Sequence, residues 1–123
     1  MEHTRTTPEQ SVILKKIGYD VPDTHYWNAH LNLGFIKEEG ENCNYNKDYT
    51  WYYTRPKLID VLLWLREVKG WHVYADSSRE WCTWYPVCVP KGGSFDTGTE
   101  GFNTHDLALS AGVDFILKKL EKI

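Results

Sequence analysis

The chain has 123 residues, with 14 Lys and Arg against 17 Asp and Glu, a net charge of −3, and 41% hydrophobic residues. That length suits one domain, able to bury about two-thirds of its unfolded surface without a metal or a disulfide. The acidic balance excludes a broad phosphate-tracking surface, and the lack of any run of about 20 apolar residues excludes a membrane-spanning helix. Six Trp, eight Tyr and four Phe make the aromatic load high, so a core built from rings is expected. The opening MEHTRTTPEQ has no apolar centre, unlike a secretory signal. Together with Cys43, Cys82 and Cys88, this points to reduced thiols in a cytoplasm.

In chain order, the spacing predicts a short helix from Pro8 to about Ile17, capped by Thr7 and Gln10 and stopped by Gly18, with Val12, Ile13 and Ile17 on its apolar edge. DVPD reads as a turn, and THYWNAHL as a strand entering a hairpin around Asn32 and Gly34. KEEGEN reads as a polar turn, and CNYNKDYTWYY as irregular with some strand. The strongest element spans 56–69, with Thr54 as its cap and Gly70 as its stop. Leu58, Val61, Leu62, Leu65 and Val68 form its stripe, and Ile59 and Leu63 widen the apolar arc, so this helix is expected to be covered on more than one side.

WHVYAD, the turn SSRE and WCTWYPVCV then predict an antiparallel hairpin. Trp71, Val73 and Ala75 share one face of it, and His72, Tyr74 and Asp76 the other. Pro86 cannot donate to a ladder, which places the second strand at an edge or a bulge. The last helix runs from Thr104 to the end, capped by Asn103, with Phe102 stapled on Leu107 and Leu109, Val113, Ile116, Leu117 and Leu120 in one stripe. Gly112 in that helix permits close packing. The whole reads as a single α+β domain over 1–123: a small antiparallel β-sheet centred on the 71–89 hairpin, packed by a central helix and a C-terminal amphipathic helix, plus a short N-terminal helix.

Chemistry is sparse. Asp96, in SFDTGTEG, sits in the local signature of an aspartic protease. Such a site needs two carboxylates sharing a proton beneath a flap, and only 22 residues follow Gly101, reading as one helix. Four glycines make KGGSFDTGTEG a turn instead. Lys91 precedes GGS, so the stretch is not a phosphate loop. Cys82 and Cys88 are too far apart on one strand for a shared tetrahedral site without a bend at Pro86, and His25 and His30 fit neither helical nor strand spacing. Ser77 and Ser78 lack a nucleophile elbow. No catalytic residue, metal ligand set or cofactor is expected.

Three stretches carry a resemblance: LKKIGYDVPDTHYWN, YTRPKLIDVLLWLREVKGWHVYAD and GFNTHDLALSAGVDFILKKL. The matching residues are Gly18, Tyr19, Asp20 and Pro22, then Pro56, Trp64, Leu65, Arg66 and Glu67, then Phe102, Thr104 and Ala108. In that order the chain resembles a family of small uncharacterised proteins encoded in bacteriophages and prophage-like regions of bacterial genomes. The resemblance implies an α+β fold and a mobile-element setting in a bacterial genome, so that the cytoplasm expected above would be that of a bacterial host, and it carries over no activity. The leading expectation is therefore a non-catalytic accessory or adaptor protein of a mobile element. It would bind an unknown protein partner through exposed aromatic surface formed by His72, Tyr74, Trp84 and Trp51. A nucleic-acid-binding module using the hairpin face is the less favoured partner reading, and an enzyme with a site assembled from distant residues is a further rival.

Overall fold

The computed structural model describes residues 4–78, 83–93, 96–97 and 101–122. Ser77 and Ser78, expected in the SSRE turn, are strand residues paired with Trp84 and Thr83. The rest of that turn, Cys82 and the side chain of Asp96 lie outside the described residues, and with them the cysteine spacing and the carboxylate of the DTG motif. The architecture is α+β: two three-stranded antiparallel sheets and three longer helices.

Helix α1 (Pro8–Lys16) begins as its sequence dictates. Thr7 Oγ1 accepts from the Gln10 amide, and Gln10 Oε1 accepts from the Thr7 amide, so two orphan donors are satisfied reciprocally. It ends in a Schellman arrangement, Gly18 N–H donating to Lys15 O and Tyr19 N–H to Leu14 O. Its buried face is Gln10, Ser11, Ile13 and Leu14. Of the expected edge Val12, Ile13 and Ile17, Ile13 is in the core and Ile17 packs against it, but the face centres on Leu14 and the polar pair instead of Val12. The buried polar pair is accommodated because the Gln10 amide donates to Ser110 and the Ser11 hydroxyl shares a proton with Thr6.

Strands β1 (Asp23–His30) and β2 (Gly34–Cys43) form the first hairpin, and β3 (Tyr52–Thr54) joins the other side of β1. KEEGEN is therefore strand rather than turn. Lys37, Glu38 and Glu39 stand opposite Trp27, Tyr26 and His25, and an outer strand tolerates such charges, which also discourage further pairing. A one-turn helix, α2 (Tyr45–Asp48), precedes β3.

Helix α3 (Leu58–Trp64) starts later than expected and has no side-chain cap. Thr54 belongs to β3, and residues 4–6 pair with 56–58 instead, so that the Leu58 amide donates to Thr4 O. That backbone carbonyl does the work of a cap. The helix runs into a π-helical turn (Leu65–Lys69), closed by Gly70 at φ 74°, a conformation that suits glycine. Val61, Trp64 and Leu65 are buried, but Ile59, Leu63 and Val68 are exposed. This helix is covered on one side only, because the first sheet packs against α1 and α2 rather than against α3.

In the second sheet, β4 (Trp71–Ser78) pairs with β5 (Thr83–Pro90), and β5 with β6 (Asp96–Thr97). Thus β5 is the central strand, not an edge, and Asp96 lies on a short strand rather than within a turn. Trp84 exchanges both backbone bonds with Phe102, so Pro86, two residues on, aims its donorless nitrogen the same way. It sits between the Phe102 bridge and the β6 pairing, where no described residue needs its N–H.

Helix α4 (His105–Glu121) is capped by Thr104, one residue beyond the expected Asn103. Phe102 is held by the bridge to Trp84, and Leu107 is exposed rather than stapled. Val113, Ile116 and Leu117 are fully buried against Ile13, Leu14, Leu58, Val61, Leu65, Val73 and Cys88. The main core thus lies between α1, α3, α4 and the β4–β5 hairpin.

Candidate interaction surface at the tip of the first hairpin

Three residues, Leu31, Asn32 and Leu33, cross from β1 to β2 between the His30–Gly34 pair. The Asn32 amide donates to His30 Nδ1, which shapes the turn locally and sends both leucines outward. Leu31 is 99% exposed and Leu33 71%. Beside them, the Ala29 amide donates to Trp51 O, extending β1 past β3 and fixing Trp51 next to the turn. Trp51 is 65% exposed. It closes a shallow concavity of about 590 Å³ with Asn28, Ala29, His30, Leu31, Asn32 and Tyr52. Phe35 and Tyr49 are also exposed nearby in the chain.

The loop that carries Trp51 is held from below. Lys15 Nζ donates to the carbonyls of Tyr49, Thr50 and Tyr52, at 2.5, 3.1 and 2.8 Å. It also stands 4.7 Å from the Tyr53 ring centroid. Burial pushes this ammonium below its ordinary range. Tyr49, Tyr52, Tyr45 and Tyr26 form a run of ring contacts, with Tyr26 and Tyr45 stacked at 4.2 Å. Tyr26 Oη and Asn28 Nδ2 both donate to the Glu38 carboxylate at 2.8 Å. These bonds hold Glu38 below the usual carboxylate range, Asn28 first, and the bond to Glu38 raises Tyr26 to about 12. The exposed apolar tip is therefore mounted on a stiff polar and aromatic base.

The four aromatic residues singled out from sequence do not share one face. Trp51 belongs to the first sheet. His72 and Tyr74 lie on the second, with ring centroids 5.2 Å apart. Trp84 is directly opposite Ser77, and residues directly opposite share a face, so it lies with Ala75, Val73 and Trp71 on the side that meets α4. Its ring stands edge-on to His105 at 5.1 Å. Leu31, Leu33 and Phe35 were missed by sequence reasoning. Their signal was two leucines flanking Asn32 at a predicted hairpin turn, where polar residues are the norm.

A second concavity, of about 420 Å³, lies between α3, β4 and the start of α4. Its wall is mainly apolar, with Thr4, Lys57, His105 and Asp106 as its polar members. Thr4 Oγ1 donates to Asp106, which lowers that carboxyl. This gives a structural tie between the N-terminal segment and α4 rather than a base aimed at a nucleophile. Among the described residues, no three of His, Cys, Asp and Glu converge to hold a metal. Cys43 is half-buried on β2, and Cys88 is buried beneath Gly112.

Comparison of the chain with protein-family models, with curated proteins and with solved structures returned no match.

Proposed function

We propose that the protein is a non-catalytic accessory or adaptor module that binds another protein through the tip of its first hairpin. The observation that carries this reading is the adjacency of Leu31 and Trp51, both exposed, across one concavity. Contiguous apolar surface held in a fixed shape marks an interaction site more often than scattered exposed residues do. A tryptophan rim around a small pocket suits an apolar side chain inserted from a partner. The resemblance to phage and prophage proteins supports a mobile-element setting in a bacterial cytoplasm. No described helix is long and apolar enough to cross a membrane.

The test is site-specific photo-crosslinking in the bacterial cytoplasm, with the probe at Leu33 and, as a control, at Lys47 on α2. A partner captured from position 33 but not from 47 is then purified and titrated. Trp51→Ala is expected to cost about 2 kcal/mol of binding, roughly thirtyfold. Equal capture from both positions, or unchanged affinity for Trp51→Ala, would overturn the reading.

A further inference from the structure

A different feature lies where β4 leaves the π-helical turn. Arg66, Gly70, His72, Val89, Pro90 and Lys91 line a concavity of about 350 Å³ with no carboxylate in its wall. Arg66 and Lys91 are exposed, and neither makes an ion pair with a described residue. The backbone brings them together. The π turn ends at Lys69, Gly70 turns the chain, and the Lys91 amide donates to Gly70 O at 2.7 Å. Two cations on one small concavity repel each other, and an anion between them relieves this. Next to them His72 is exposed, and its ring lies 5.2 Å from that of Tyr74.

We propose that this concavity is a phosphate site for single-stranded nucleic acid, with neighbouring backbone phosphates held by Arg66 and Lys91 and a base laid against the His72–Tyr74 ring pair. The chemistry favours a nucleotide strand over an acidic peptide because the cations adjoin a ring platform, and bases stack where carboxylate side chains do not. The net charge of −3 limits the footprint to these few contacts. Neutralising about two phosphates of a single strand gives a salt slope near −1.4, so affinity falls about tenfold between roughly 50 and 250 mM salt.

The experiment is fluorescence anisotropy of the full chain with labelled oligo-dT and oligo-U of about 12 nucleotides, at both salt concentrations. Arg66→Gln with Lys91→Gln is expected to weaken binding at least tenfold, and His72→Ala about tenfold. Lys47→Gln, which removes one exposed charge elsewhere, is expected to stay within twofold. Circular dichroism verifies that each variant folds. Any of four results overturns the proposal: no binding at low salt, equal weakening by Lys47→Gln, equal affinity for polyglutamate, or affinity for inorganic phosphate or a mononucleotide equal to that for the oligomer.

Discussion

Gly112 decides how closely α4 lies on the second sheet. A Cβ there would stand 2.9 Å from Val73 Cγ1 and 3.1 Å from Pro86 Cβ. Valine and proline are stiff, so neither yields cheaply. Gly112→Ala gains about 1 kcal/mol of helix propensity and costs about 2 in strain, a net loss near 1 kcal/mol. Thermal unfolding should report a midpoint about 4 °C lower; an unchanged or raised midpoint would mean that the helix shifts freely. Gln10 acts similarly as a single-residue tie. It closes the cap of α1 and donates to both the carbonyl and the hydroxyl of Ser110, which joins the first helix to the last.

At the scale of elements, the β1–β2 pair depends on an ionised group. Glu38 accepts from Asn28 and Tyr26, and its folded-state pKa is depressed, so its contribution is present above pH 4.5 and is lost as pH falls through the lower folded value. Tyr26, raised to about 12, contributes below pH 10 and loses this as pH rises through 12. The network therefore works fully from about pH 5 to pH 10. Tyr26→Phe should cost about 1 kcal/mol at pH 7. Urea midpoints at pH 7 and at about pH 3.5 check it, because the gap between wild type and variant shrinks in acid; a gap independent of pH would exclude the charged bond as its source. The π turn after α3 is the other element-scale device, since it carries Arg66 towards the end of the hairpin.

For the molecule as a whole, burial is uneven. The fully buried side chains of α3 and α4 meet those of α1 and β4–β5, whereas Tyr26, Trp27 and Tyr45 stand outside that cluster. The first sheet is attached through α1, through the Lys15 ammonium on the Tyr52 carbonyl and through Trp27 Nε1, which donates to Thr6 O. Its outer strand, β2, is mostly exposed, and few buried contacts mean low local stability. Native-state hydrogen exchange should show β2 amides opening at least about 2 kcal/mol more readily than those of residues 113–117 in α4. Equal protection would indicate one cooperative unit. The proposed protein-binding and phosphate-binding surfaces fall on different sheets, so changes at one leave the other intact.

Much of this was written locally in the chain. The Thr7–Gln10 cap, the Gly18 and Gly70 stops, the alternating faces of β4 and the Val113–Ile116–Leu117 stripe depend on neighbours a few residues apart, and short-range stereochemistry is legible in sequence. Distant partners decided the rest. Residues 4–6 displaced the start of α3, pairing with β1 turned KEEGEN into strand, and β6 made β5 central. Register set Trp84 apart from His72 and Tyr74, and the packing of the first sheet left Leu31 and Trp51 in water. Long-range pairing and one-sided burial leave no periodic mark, because a side chain's exposure depends on what folds over it.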